Sequence, residues 1–198
     1  MSLLRHIRAY APAKINLGLE VVRRRRDGYH DIETIFQTID FCDELLFHES
    51  GESGSFRLDI QGLKAPEGSD NLVAQAWTLM REKAGKSPRG LRLELLKRIP
   101  MGAGLGGGSS DAAAMLVGLN RYWKLNLAQE DLEEMAVQLG SDVPFLLRGG
   151  TAIGRGRGEK LEALPALHQG AFLLVNPGIA ISSGWAYEQI KLGLTRNP

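Results

Sequence analysis

Hydrophobic and polar residues alternate along several stretches of the chain, and this two-residue period predicts β-strands. In the first of them, 13–22, the apolar residues at odd positions share one face, and Lys14 and Asn16 project together from the other. An arginine-rich hairpin tip at 23–28 is expected to return the chain into a second strand at 32–41. Further strands are predicted at 56–60 and 91–95, and a short apolar strand at 172–175.

Between these strands, apolar residues recur at helical spacing and predict amphipathic helices. Ser69 or Asp70 is the predicted cap of the first helix, and Gly85 is its predicted end. Asp142 is a candidate cap for a short helix that carries Pro144 in its first turn. The apolar stripes of the longer helices lie within 72–80, 112–123 and 132–139, and a last helix is predicted at 183–192.

The stretch Pro100–Asp111 holds five glycines in the seven positions 102–108. Glycine lets backbone amides approach another group closely, at an entropic cost that an ordinary connection has no reason to bear. Ser109 to Asp111, followed by three alanines, predict a helix start, and the free amides of such a start suit an anion. The pattern therefore predicts a phosphate-binding loop, with a plain glycine-rich surface turn as the alternative.

This loop fits neither of two common phosphate-binding motifs well. Gly102, Gly104 and Gly107 satisfy a dinucleotide fingerprint, but the acidic residues about 20 positions further on fall within a predicted helix rather than at a strand end. A Walker loop requires lysine at the position that Gly108 occupies. We therefore expect phosphate to be bound mainly by backbone amides and serine hydroxyls.

The composition of the chain excludes several classes of protein. The chain has 198 residues, a net charge of +1 and 43% hydrophobic residues, which is typical of a globular protein and argues against a dedicated nucleic-acid binder. Cys42 is the single cysteine, which excludes an internal disulfide. Because no apolar run has the length of a signal peptide or a membrane span, we expect a cytoplasmic protein without a membrane partner. The histidines lack metal-ligand spacing, at positions 6, 30, 48 and 168.

Three blocks of sequence together resemble the GHMP kinases, a superfamily of small-molecule kinases. The blocks are Ala11–Leu17, Pro100–Ser110 and Gly140–Phe145, and Asp27–Asp31 adds a similarity to one branch of the superfamily. The resemblance implies an α+β fold, the GHMP kinase fold, with an ATP-binding domain like the second domain of ribosomal protein S5 at 1–160. It also implies the start of a ferredoxin-like substrate domain at 161–198, expected to be incomplete because family members continue further.

The same resemblance implies transfer of the γ-phosphoryl group of ATP, with Mg²⁺, to the 2-hydroxyl of 4-diphosphocytidyl-2-C-methyl-D-erythritol. Lys14 and Asp142 are the implied catalytic pair, in which Asp142 accepts the hydroxyl proton and Lys14 favours its ionised form. Asn71 resembles an adenine-side position, and Ser109 or Ser110 would help to hold the metal. The implied substrate-binding residues are Asn16, Tyr29, His30 and Tyr187. The implied ATP-binding loop comprises Pro100, Gly102, Gly104, Leu105, Gly106, Gly107, Gly108, Ser109 and Ser110.

Two other hypotheses stay open at this point. Another GHMP kinase would act on mevalonate, homoserine or a sugar, and it would have no use for Tyr29 and His30 as base-binding residues. A non-catalytic RNA-binding domain is the third hypothesis, because an S5-like topology and the arginines at 23–26 would permit it. A monomer or a homodimer is the expected assembly.

Overall fold

The computed structural model describes residues 7–85, 88–167 and 170–190. Within these ranges the chain forms six strands and five α-helices around one hydrophobic core. The strands are β1 (Ile7–Arg24), β2 (His30–Glu49), β3 (Phe56–Gly62), β4 (Leu91–Lys97), β5 (Thr151–Gly156) and β6 (Lys160–Leu164). The helices are α1 (Leu72–Ala84), α2 (Gly107–Trp123), α3 (Gln129–Leu139), α4 (Val143–Arg148) and α5 (Ser183–Glu188), with a 3₁₀ turn at Gly68–Asp70.

The strands form one sheet in the order β3-β4-β2-β5-β6, with β1 paired along β2. β2 has 20 residues, so it is long enough to pair with β5 through its first half and with β4 through its second half. All of these pairs are antiparallel except β3 with β4, which α1 connects as a crossover helix. Helices combined with a mainly antiparallel sheet make this an α+β fold, as predicted.

The core lies between the sheet and helices α1 to α4. α2 packs against β1 and β2, and the other three helices pack around α2. Leu91, Leu93 and Leu95 of β4 are fully buried in this core while Arg92 between them is exposed, which confirms the predicted alternation. Of the helices in the described part of the chain, none has both the length and the apolar composition needed to cross a membrane.

The first strand differs from its prediction. Leu17 and Leu19 were expected on the buried face, but they are 41% and 50% exposed, whereas Lys14 is 6% exposed. Shifts of register between Pro12 and Lys14, and again after Asn16, interrupt the two-residue alternation in this strand. The bulges therefore turn the middle of β1 toward the core and leave its later part on the surface.

Three helix starts also differ from the sequence-based prediction. Ser69 and Asp70 lie in the 3₁₀ turn, so Asn71 caps α1 by accepting a hydrogen bond from Val73 N. α2 begins at Gly107 rather than at the serines, because Gly106 adopts a left-handed conformation with φ of 69°. Asp142 occupies the cap position of α4, but its carboxylate makes no capping hydrogen bond.

The observed secondary structure departs most from the sequence-based prediction in the part of the chain after Gly149. The glycine-rich segment after Gly149, for which the sequence predicted no strand, forms the β5–β6 hairpin. The short strand predicted at 172–175 is absent, since this described segment has no regular secondary structure and Leu173 is 91% exposed. The helix predicted at 183–192 spans Ser183–Glu188, and its last two predicted positions lie outside the described residues. β6 pairs with β5 just beyond position 160, and the division into two domains there stays a prediction.

Candidate active site

The glycine loop joins β4 to α2 and is attached to β1 at two points. Lys14 N donates a hydrogen bond of 2.9 Å to the carbonyl oxygen of Leu105, and the Ser110 hydroxyl donates one of 2.6 Å to the carbonyl oxygen of Pro12. A Cβ atom at Gly106 would lie 3.1 Å from Cγ of Lys14, so glycine at this position lets the lysine side chain run against the loop. The start of α2 and the Lys14 side chain are therefore held side by side.

The predicted catalytic pair is brought together from strand β1 and the start of α4. Lys14 Nζ lies 3.6 Å from Asp142 Oδ2 and donates a 2.8 Å hydrogen bond to Asn16 Oδ1. Asn16 in turn donates to the hydroxyl of Thr34, and the ammonium group lies 5.4 Å from the centre of the Phe36 ring. The lysine is therefore fixed in place, while the Asp142 side chain is 33% exposed and open to a ligand.

These groups line one cavity of about 520 Å³. A cavity of this size falls in the range of small-molecule sites. Seven of the residues selected from the sequence line it together: Lys14, Asn16, Tyr29, His30, Ser109, Asp142 and Tyr187. Residues separated by more than 170 positions in the chain thus share one concave site.

Aromatic rings form the far side of this cavity. His30 and Tyr187 are stacked with their ring centres 5.6 Å apart, and the guanidinium of Arg157 lies 4.6 Å from the centre of the Tyr29 ring. Burial raises the pKa of the Tyr187 hydroxyl, and the nearby Asp142 carboxylate raises it further, so this phenol stays protonated at neutral pH. The rings offer flat faces and hydrogen-bonding edges, which suit a planar heterocycle.

The remaining predicted residues lie outside this cavity. Of the predicted loop residues, all of them described, Ser109 alone lines it. The Ser110 hydroxyl is buried and engaged with Pro12, so it is not free to face a metal. Asn71 is 5% exposed, and its amide caps α1 and donates to the carbonyl oxygen of Pro66. Its adenine-side role stays a prediction.

Sequence reasoning did not select several residues that line the cavity. Arg157 lies between two glycines at the end of β5, where the sequence indicates a turn rather than a ligand. Ser141 precedes the selected Asp142, and Glu188 follows the selected Tyr187, so their proximity to chosen residues was the available signal. Ser183 and Gly184 complete the wall from α5.

The described residues offer few protein ligands for a metal ion. In the described ranges no group of three or more His, Cys, Asp or Glu side chains is placed to hold a metal ion, and His6 and His168 lie outside those ranges. Ser109 and Asp142 nevertheless supply two oxygen donors to the cavity beside the loop. This set fits Mg²⁺, which takes one or two carboxylates and relies on substrate phosphates for further ligands.

Comparison with known proteins identifies the family. Residues 71–150, which include the glycine loop and α2 to α4, match the GHMP kinases N terminal domain. The 4-diphosphocytidyl-2-C-methyl-D-erythritol kinase of Prochlorococcus marinus is 46% identical over 183 residues, covering 91% of this chain. The chain belongs to the GHMP kinase family. The corresponding kinase of Enterococcus faecalis is 44% identical over 188 residues and 95% of this chain.

This GHMP kinase chain is shorter than its relatives. It spans 57% of the Prochlorococcus protein and 66% of the Enterococcus protein. A crystal structure of 4-(cytidine 5'-diphospho)-2C-methyl-D-erythritol kinase superposes with a TM-score of 0.66 at 46% identity, covering 80% of this chain and 55% of that one. A homoserine kinase from Cytophaga hutchinsonii shares the fold at 23% identity, with a TM-score of 0.62 over 83% of this chain and 53% of its own. The predicted GHMP kinase fold is confirmed.

Proposed function

We propose that this chain transfers the γ-phosphoryl group of ATP to the 2-hydroxyl of 4-diphosphocytidyl-2-C-methyl-D-erythritol, a step of the non-mevalonate route to isoprenoid precursors. The observation that carries the proposal is the meeting of Lys14 and Asp142, 3.6 Å apart, in a cavity that also holds Ser109 from the glycine loop and the ring of Tyr187. The names and identities of the relatives support the choice of acceptor.

ATP is bound, in this proposal, with its phosphates at the glycine loop. The positive φ angles of Gly102, Gly104 and Gly106 bend the backbone there, and the first amides of α2 follow directly. Backbone amides and the helix dipole both favour an anion at this point. The Ser109 hydroxyl reaches the cavity from the first turn of α2, so it marks where the terminal phosphate would meet the acceptor.

Mg²⁺ would be held mainly by the phosphate oxygens, with the Ser109 hydroxyl as the protein donor in reach of the cavity. When bound, the ion would neutralise charge on the phosphates.

Asp142 is the proposed general base. It takes the proton of the 2-hydroxyl as that oxygen bonds to the γ-phosphorus, while the bond from this phosphorus to the bridging oxygen breaks and ADP leaves. Lys14 lies beside Asp142 and donates to Asn16, so its ammonium group is positioned to face the transferring phosphoryl group. The lysine stabilises negative charge there.

The acceptor is proposed to lie along the rest of the cavity. Tyr29, His30 and Tyr187 present ring faces and edges that would stack on the cytosine and hydrogen-bond to it. Asn16 would contact the hydroxyl or diphosphate part of the acceptor, because it lies next to Lys14. We propose a cytoplasmic location, and a monomer or homodimer as the assembly.

The proposal is tested by measuring ADP release with ATP, Mg²⁺ and a panel of acceptors. The panel contains 4-diphosphocytidyl-2-C-methyl-D-erythritol, mevalonate, homoserine and galactose, and the assay uses this chain and a version extended to the length of its relatives. We expect turnover with the cytidyl acceptor alone. Turnover with another acceptor would contradict the proposed choice of substrate. Salt-sensitive RNA binding without ATP turnover would contradict the proposal that the chain is an enzyme.

A further inference from the structure

A cluster of three charged side chains lies buried beneath the glycine loop, apart from the cavity. Lys97, the last residue of β4, donates hydrogen bonds to Asp43 of β2 and to Oδ2 of Asp111, the fifth residue of α2, the latter at 2.7 Å. The three side chains are between 0% and 4% exposed, and none of them lines the cavity. Because protein atoms enclose them, they take no direct part in the proposed chemistry.

The cluster holds the strand side of the loop. Asp43 Oδ1 accepts hydrogen bonds from the backbone amides of Arg98 at 2.5 Å and Ile99 at 2.9 Å, which are the residues that lead into the loop. The other oxygen of Asp43 accepts from Lys97. A single carboxylate from the middle of the sheet thus fixes the path of the chain as it leaves β4.

The cluster also holds the helix side of the loop. Asp111 belongs to α2, and its hydrogen bond to Lys97 ties the N-terminal part of this helix to the end of β4. The two ends touch, since a Cβ atom at Gly107 would lie 2.8 Å from Cγ2 of Ile99 and 3.2 Å from Nζ of Lys97. The separation of the two ends of the loop is therefore set by one ammonium group and by close packing.

The composition of the cluster is unusual for a purely stabilising element. One cation is shared by two carboxylates, and burial raises the pKa of Asp111 to about 7 against the opposing pull of Lys97. Buried ion clusters are often no more stabilising than apolar side chains of the same volume. They do fix geometry, because removing one member leaves the others without a partner.

We propose that Asp43, Lys97 and Asp111 are positioning residues that hold the two ends of the phosphate loop at a fixed separation, so that its amides are preorganised for a nucleotide. The inference rests on the proposed function, because it assumes that the loop binds ATP. Asp43 fixes the backbone where the loop leaves β4, and Asp111 fixes it where the loop enters α2. Lys97 joins the two carboxylates by hydrogen bonds to both.

The test compares three substitutions in the full chain by calorimetric titration with ADP and Mg²⁺. Asp111→Ala should weaken nucleotide binding by about tenfold, because the loop loses its attachment at the helix end. Asp111→Asn keeps an oxygen acceptor for Lys97 and should restore affinity close to that of the parent. The control is Asn120→Ala, which removes hydrogen bonds to Leu127 at the opposite end of the same helix.

In steady-state assays Asp111→Ala should raise KM for ATP and leave KM for the acceptor unchanged, which a general loss of stability would not do. Equal nucleotide affinity in Asp111→Ala and Asn120→Ala would overturn the positioning role while leaving the proposed function intact. A parent chain that binds no nucleotide, together with an extended chain that also binds none, would overturn the proposed function and this inference with it. If Asp111→Ala does not fold, failure of Asp111→Asn to match the parent affinity overturns the inference.

Discussion

Two lysines contact the glycine loop, Lys14 at Gly106 and Lys97 at Gly107, and each is paired with carboxylates in a different way. Lys14 lies 3.6 Å from Asp142 at the edge of an open cavity, and the Asp142 side chain is 33% exposed. Lys97 contacts Asp43 and Asp111 in a closed environment, where its side chain is 2% exposed. The same two chemical groups therefore serve one arrangement that can admit a ligand and another that cannot.

The difference shows what burial does to an ion pair. In the open pair the carboxylate can release the lysine and take a proton, since water and ligands can solvate both groups. In the closed cluster a separated charge would have no other partner, so the geometry stays fixed. Reactivity is expected from the first arrangement and rigidity from the second. The following substitutions test this contrast, from the largest expected effect to the smallest, and a series of pH values tests it last.

Removing the charge of the open carboxylate should affect turnover most. Asp142→Asn is expected to lower kcat by about 10² to 10⁴, because general-base catalysis typically contributes a factor of that size. Nucleotide affinity and the free energy of unfolding should change little. Steady-state kinetics, ADP titration and denaturant unfolding measure these three quantities, with the exposed Glu82→Gln on α1 as a control that changes none of them. Near-parent turnover in Asp142→Asn would exclude the carboxylate as the base.

Removing the two lysines should separate stability from activity. Lys97→Met is expected to lower the free energy of unfolding by about 3–5 kcal/mol, because it leaves two buried carboxylates without a cation. Lys14→Met should lower it by at most about 1 kcal/mol, since its ion-pair partner is partly exposed, yet it should reduce turnover strongly. Chemical denaturation of both variants checks the contrast. Equal losses of stability would show that the two arrangements are not energetically different.

Removing the Tyr187 ring from the cavity wall should weaken binding of the acceptor and leave binding of ATP unchanged. Tyr187→Ala is expected to raise KM for the cytidyl acceptor by about tenfold, since stacking of one base contributes about 1–3 kcal/mol. KM for ATP should be unchanged. Tyr10→Ala, which removes a 58% exposed tyrosine from β1, is the matched control. An unchanged KM for both substrates in Tyr187→Ala would remove this ring from the acceptor site.

The last test concerns the pH dependence of stability. Burial, opposed by Lys97 and reinforced by Asp43, raises the pKa of Asp111 from 3.8 to about 7, so the folded chain holds a proton that the unfolded chain releases. The contribution of Asp111 to the free energy of unfolding is therefore fully present below about pH 4, and it is lost as the pH rises to about 7. Asp111→Asn stays neutral and removes this slope.

The expected result is that Asp111→Asn gains stability relative to the parent as the pH rises from about 5 to about 8. Denaturant unfolding at several pH values measures the difference. A difference that stays constant with pH would show that Asp111 does not hold a proton near neutrality.

Much of the candidate site could be read from the sequence because its residues stand in short patterns. The glycines at 102–108 would be entropically costly in an ordinary connecting loop, so they indicate a binding loop. Asp142 precedes a proline at the predicted start of a short helix. Lys14 and Asn16 alternate with apolar residues, so their common direction followed from the period of a strand, and the 2.8 Å hydrogen bond between them agrees. Local chemistry and spacing determined these features.

Other features depended on contacts between distant segments. Bulges in β1 exposed Leu17 and Leu19 against the alternation, and a missing partner left 172–175 without strand pairing. Arg157 reached the cavity because β5 pairs with β2, which no local pattern indicates.

The sequence by itself determined which residues are able to bind phosphate, move a proton or stack on a base, since side-chain chemistry and local backbone freedom are properties of short segments. The tertiary structure alone decided which of two lysines faces an open cavity and which is enclosed with two carboxylates. The physical reason is that exposure and electrostatic environment arise from the packing of segments far apart in the chain. One feature of the sequence does indicate the enclosed lysine. Position 97 continues the alternating buried row of β4, and a buried lysine requires a charged or polar partner.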